Sequence, residues 1–322
     1  MKHSRIISIV ILIIGIVVGY GVVTNQSYLR DQWQLYNYTP SEEVSNLGAA
    51  ALLNGTGKRY YYLSEPQIED KQTFAQHCPV EESTIVLGCY DGRVMYLLNV
   101  DDDRLRGVEE VTAAHETLHA VYSRLTDKER ARIDTLVDAA YKKQNNARLT
   151  KVIDAYRVRE PNDINNELHS ILATEVRDIG SELEDYYAKY FTDRMRLVSM
   201  AETYQSVFTD LEDQVASYDE QLKNLRKSIE SSQGTLTSKQ NAITSQRTRM
   251  DTLLRNNQIS EYNSLVASYN ASVVDYNNRV DDLESDIDKY NDLVIKRNEV
   301  ATAQKNLVES INAGFSTIKQ EP

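Results

Sequence analysis

Basic residues, cysteine and tryptophan are all scarce in this chain. Over 322 residues, 36 Lys and Arg stand against 48 Asp and Glu, for a formal net charge of −12. No basic patch is available to grip phosphates, and one Trp offers no series of stacking platforms, so the composition argues against nucleic-acid partners. The acidic balance reads most simply as solubility. The two cysteines, Cys78 and Cys89, do not form a C-x-x-C, which rules out a zinc ribbon and a thioredoxin-type motif. In an exported domain such a pair suits one disulfide; two buried thiols are the alternative. Past residue 193 glycine and proline nearly vanish: Gly234 is the only Gly before Gly314, and no Pro occurs until Pro322. Such a composition suits long helices.

Long apolar runs are also rare, with one exception. Ile6 to Val23 is an 18-residue apolar stretch preceded by Lys2 and Arg5. Its length suits a single transmembrane helix, and the flanking charges hold residues 1–5 in the cytoplasm and send the rest outward. A cleaved signal peptide is the competing reading. The run is long for one, and Val22-Val23-Thr24 contains no A-x-A site, which favours an uncleaved anchor at 6–23. Gly15 and Gly19 form a G-x-x-x-G that is weak support for helix pairing.

Residues 24–38 are polar and aromatic and read as a juxtamembrane stalk. A helix is expected from about Pro40 to Leu53, broken by Asn54-Gly55-Thr56-Gly57. Arg59 to Leu63 (RYYYL) reads as a strand. Two further strands, 84–90 and 93–100, flank Asp91-Gly92, a hairpin signal. An exposed strand there suits an extended peptide paired through its backbone. Helix is expected again at 127–143, a loop or cleft rim at 144–163, and helix at 165–191 with an interruption at Gly180-Ser181.

From about Asp193 apolar residues follow 3-4 spacing: Tyr204, Phe208, Leu211, Val215, Tyr218, Leu222, Leu225 and Ile229, then Leu236, Ile243, Met250 and Leu253. A second register runs from Tyr262 to Val294. Sustained heptads of this kind mean coiled coil. Asn256-Asn257-Gln258 separates two arms of similar length, so the simplest arrangement is an antiparallel hairpin about 75 Å long; one continuous helix forming a parallel dimer is the rival. Tyr at 262, 269, 276 and 290 is assigned to the seam. Ser232, Lys239 and Gln246 are polar residues in the first arm's seam, which weaken packing and can set register.

Histidine occurs five times, and two of the five lie in Val111-Thr-Ala-Ala-His-Glu-Thr-Leu-His-Ala-Val-Tyr122. On a helix His115 and His119 share a face, and two neutral imidazoles at that spacing can chelate Zn²⁺. Glu116 is rotated about 100° from His115, beside the metal, where a general base for a water has to be. A surface helix with two ordinary histidines is the alternative. The H-x-x-G-x-x-H extension is absent, since AVYSRLT follows His119.

On this motif the chain resembles the gluzincin group of zinc metallopeptidases, in which a Glu on a later helix, commonly in E-x-x-[SA], completes the metal site. Here Glu167-Leu168-His169-Ser170 matches, 48 positions after His119. The acidic residue that often follows is replaced by Ile171, so the support of the two histidines is unassigned. Glu175 and His169 are the rivals as third ligand. His169 is about 200° around the helix from Glu167, so both cannot face one metal. Glu175 is about 12 Å further along the axis; it is an alternative ligand, an acceptor for an imidazole N–H, or half of an ion pair with a nearby Arg. Tyr186, Tyr187 and Tyr190 are near enough in sequence to supply an oxyanion donor, though packing is the default for tyrosines in a chain with 21 of them.

The resemblance implies an α+β zincin-like catalytic domain at 39–194, a small sheet with active-site helices, followed by the coiled-coil hairpin at 195–322. The expected function is that of an exported, membrane-anchored zinc metallopeptidase acting on peptides or envelope proteins, with the hairpin available to a protein partner or to self-association. An envelope scaffold with a vestigial or structural zinc site, and a zinc amidase acting on cell-wall material, are the other two readings.

Overall fold

Residues 26–78, 85–159, 161 and 163–312 are described in the computed structural model of the chain. The expected membrane span at 6–23 lies outside them, and among the described residues no helix is long and apolar enough to cross a membrane. The α+β class is overturned. Helix makes up 78% of the structure, and the sheet consists of strands of only three, three and four residues. The chain divides into two compact units, Met1–Val207 with Val308–Pro322, and Phe208–Leu307.

The first unit is built around one helix. In chain order its elements begin with α1 (Gln26–Asn37), α2 (Glu42–Ala50), α3 (Gly55–Leu63), β1 (Gln67–Glu69), α4 (Lys71–His77), β2 (Gly88–Tyr90) and β3 (Met95–Leu98). Then follow α5 (Val108–Tyr122), α6 (Asp127–Tyr141), α7 (Ala147–Arg159), α8 (Ile164–Glu175) and α9 (Ser181–Tyr187). Helix α5 carries the HETLH residues and packs against α2, α3, α8, β2 and β3. Ala113, Ala114, Leu118 and Ala120 are fully buried along it, with Val111 and Val121 nearly so. A helix covered on most of its surface belongs in the interior, and its small residues let neighbours come close.

Several local expectations are corrected. Arg59–Leu63 is helical. Asn54 is the N-cap of α3, its side chain accepting from Thr56 N and Gly57 N, so the apparent breaker is a helix start. Gly57 is required inside the first turn because a Cβ there would meet the Tyr190 carbonyl oxygen at 2.2 Å. Tyr61 and Leu63 are fully buried, and that burial overrides the strand preference of three consecutive tyrosines. Within the expected stalk, Gln26–Asn37 form α1. The rim expected at 144–163 contains α7. The hairpin forms with Gly88 opposite Leu97 and Tyr90 opposite Met95. Its turn is held by Asp91, whose carboxylate accepts from Arg93 N at 2.8 Å and Val94 N at 2.7 Å. The unforeseen strand β1 pairs parallel to β3, so the sheet order is β1-β3-β2 and β2 is an edge.

A buried arginine anchors α8. Arg194, at the start of α10 (Arg194–Arg255), donates from Nη1 to Ala173 O at 3.1 Å and Val176 O at 2.7 Å, and pairs with Glu184. The carbonyls that a helix leaves open at its C-terminus are thereby satisfied.

The second unit consists of parts of α10 and α11 (Ile259–Ile311), which form an antiparallel hairpin through Asn256–Gln258. Asn257 takes φ +58°, a left-handed conformation that Asn tolerates. The break excludes one continuous helix. Arg297 pairs with Asp219 at 3.0 Å and Lys239 with Asp275, and both pairs are centred on that turn, which fixes the register. Lys239, a polar seam residue, thus has an opposite-arm partner.

Candidate metal centre

The α5 and α8 helices face each other, and three side chains converge between them. His115 Nε2 and His119 Nε2 are 3.1 Å apart. Glu167 Oε2 is 3.7 Å from His115 Nε2, and Glu167 Oε1 is 3.6 Å from His119 Nε2. Ligand atoms bound tetrahedrally at 2.0–2.1 Å lie roughly 3.3 Å from one another, so the three groups are spaced as one small cation requires. Glu167 is buried and its Oε2 has no hydrogen-bond partner. A buried, unpartnered carboxylate oxygen is costly unless a cation completes it. The donor set of two imidazoles and one carboxylate is that of catalytic zinc sites, which keep a fourth position open.

Glu116 competes for the third position on distance alone, since it brings an oxygen within 4.8 Å of both imidazoles. Protonation separates the two carboxylates. Burial works to raise the Glu167 pKa, but the two histidines and the Tyr156 hydroxyl outweigh it and hold the group below the usual range. Burial pushes Glu116 up to about 7. A metal ligand has to be ionised, whereas a carboxyl poised near neutrality can take up and release a proton.

His119 is oriented from α8. Asn166 Oδ1 accepts from His119 Nδ1 at 2.9 Å, which leaves the Nε2 lone pair available to a cation. This is the support that the sequence left unassigned, and Asn166 is the residue sequence reasoning missed. Its only signal was its place beside Glu167. Removing such a partner typically costs 10- to 100-fold in metal affinity. Asn166→Ala is therefore expected to weaken zinc binding by about that factor in competition with a chelating dye, and Asn166→Asp, which keeps an acceptor, to restore it.

The rival ligands are elsewhere. His169 is fully buried, with Nε2 3.0 Å from the Tyr186 hydroxyl and its ring packed among Tyr122, Tyr186 and Tyr187. Burial depresses its pKa to about 3, so it is a neutral core residue. Glu175 is at the far end of α8, paired with Arg148 and accepting from Gln205 Nε2 at 2.8 Å. Tyr186, Tyr187 and Tyr190 are buried core residues. The tyrosines that line the cleft are Tyr90 on β2 and Tyr156 on α7.

The cleft holds about 570 Å³, and its walls include Gly88, Tyr90, Asp91, Tyr156 and Asp163 together with His115, Glu116, His119 and Glu167. A second hollow, of about 580 Å³, is lined by Glu42, Glu43, Glu109 and Glu110. It offers carboxylates without imidazoles, a poorer match to zinc. Cys78 and Cys89 form a disulfide that ties the end of α4 to β2 at the cleft wall.

Gly88 brings the edge strand against Glu116. A Cβ there would be 2.7 Å from both Glu116 Cγ and Thr112 Cγ2. Overpacking of this kind costs about 1–3 kcal/mol. Gly88→Ala is expected to lower the melting temperature by displacing Glu116 or Thr112; an unchanged melting temperature would show that β2 yields instead.

No family model matches this chain, and no curated protein or solved structure matches it at a significant level.

Proposed function

We propose that this chain is a zinc-dependent metallopeptidase of the gluzincin type, with His115, His119 and Glu167 as the metal ligands and Glu116 as the general base. The observation that carries the reading is the convergence of three ligand groups between α5 and α8, with an unpartnered Glu167 oxygen among them. A Zn²⁺ ion held by His115, His119 and Glu167 would supply Lewis acidity to a water and to the carbonyl of the substrate. Glu116 takes a proton from the water as its oxygen attacks the carbonyl carbon. It then delivers that proton to the amine nitrogen as the C–N bond breaks. Asn166 holds His119 in the productive tautomer throughout.

A peptide is the favoured substrate because of the strand beside the base. Leu87 O accepts from Leu98 N, and Asp91 N donates to Val94 O. Antiparallel ladders alternate, so the backbone groups of Gly88 and Tyr90 face away from β3, toward the free edge. An extended chain paired there passes beside Glu116, and main-chain pairing supplies affinity without regard to side chains. Arg124 Nη1 steadies this edge by donating to the Tyr90 hydroxyl at 3.0 Å. The disulfide favours work in an oxidising, exported setting, where peptides or envelope proteins are within reach.

The test is cleavage of a quenched-fluorescent peptide library by the full chain supplied with zinc. Hydrolysis that stops with 1,10-phenanthroline and returns with added Zn²⁺ is expected. Zinc bound without cleavage of any peptide, or cleavage indifferent to the chelator, overturns the assignment.

A further inference from the structure

Helix α1 has two faces of opposite character. One is docked: Gln34 Nε2 donates to Leu63 O at 2.9 Å and to Glu65 Oε1 at 3.1 Å, and Asp31 is 3.9 Å from both Arg59 and Arg124. The face opposite presents Leu29, Trp33 and Tyr36 at spacings of four and three, exposed by 46%, 70% and 89%. These residues point away from Asp31 and Gln34 around the helix. An uncharged stripe that includes the chain's single Trp stands in water with nothing packed on it among the described residues.

We infer that this stripe lies in the interfacial layer of a neutral lipid bilayer, independently of the metal reading. Trp and Tyr are the residues that prefer the level of the lipid headgroups, where a ring meets hydrocarbon on one side and a polar tip meets water on the other. The sequence sets the 18-residue apolar run of 6–23 directly before α1, with only Thr24 and Asn25 between Val23 and Gln26. The stripe carries no charge, and a net charge of −12 repels anionic headgroups as well as a second copy of the chain. A zwitterionic surface fits better than either. The contact bears on the cleft as well, because Arg124, which pairs with Asp31 of α1, also holds Tyr90 on the edge strand.

The single Trp makes the test direct, since indole emission reports Trp33 alone. The full chain is reconstituted into phosphatidylcholine vesicles carrying bromine either high or low on the acyl chain, and aqueous iodide is added separately. Strong quenching by shallow bromine, weak quenching by deep bromine and protection from iodide are expected. The double variant Leu29→Ser, Tyr36→Ser is expected to raise iodide quenching about twofold by loosening the interfacial contact. Free quenching by iodide without bromine quenching overturns the inference, as does protection from iodide without bromine quenching, which assigns the stripe to protein. Stronger quenching by deep than by shallow bromine also overturns the interfacial placement.

Discussion

Glu116→Gln is expected to retain one zinc per chain while peptide hydrolysis falls by about 10²–10⁴-fold, the usual contribution of a positioned general base. The substitution suits the packing. Glu116 is 5% exposed and lies against Gly88 of the edge strand, and the amide has nearly the volume of the carboxyl. What it lacks is a proton-accepting oxygen with a pKa near neutrality, which burial gives to Glu116. The loss is expected in kcat with KM little changed, because the group acts on the reacting water and not on the bound peptide backbone. Full hydrolysis by Glu116→Gln removes Glu116 from the mechanism. Loss of zinc along with activity makes Glu116, whose oxygen lies within 4.8 Å of both imidazoles, a ligand.

Glu167→Ala is expected to produce the other large effect, on the metal itself. Structural zinc bound by four ligands is worth about 10–16 kcal/mol, so each ligand accounts for roughly 3 kcal/mol, and its removal raises the dissociation constant by about 10²–10³-fold. The two imidazoles remain on α5, 3.1 Å apart at Nε2, and retain only weak chelation. Equilibrium competition against a chelating dye measures the change. Glu175→Ala is the matched control on the same helix: it breaks the pair with Arg148 and leaves zinc affinity where it was. Equal losses from both variants imply that α8 has shifted as a whole and that Glu167 is no ligand.

The residues of the centre were legible because helical spacing is a local property. His115, Glu116 and His119 need only one regular helix to come together, and an apolar stretch announces it. Glu167 was legible only through its likeness to a family pattern, because the approach of α8 to α5 is a tertiary event. Asn166 was not legible, since an amide next to a candidate ligand is ordinary until its oxygen is found 2.9 Å from His119 Nδ1. The strand reading of RYYYL failed for the same reason in reverse: three tyrosines carry a strand preference, and the capping of Asn54 with the burial of Tyr61 against the core decides for helix. Strand β1 escaped notice because Gln67–Glu69 is three residues long and takes its place only by pairing with β3. The α+β class came with the family resemblance, and it fails because 78% of the structure is helix beside a sheet of three short strands. In the second unit the seam of the first arm follows its heptads, with Leu236 and Met250 buried. In the second arm Ile287 is exposed and Asp286 is the half-buried neighbour, a local rotation of the seam that spacing alone does not disclose.

Zinc content of the full chain, measured by mass spectrometry of the metal after dialysis against metal-free buffer, tests the central claim most directly. One zinc per chain, retained in His169→Gln and Glu175→Ala and lost in His115→Ala with His119→Ala, is the result predicted from the convergence of ligands between α5 and α8. A chain that remains free of metal after zinc is added back contradicts it.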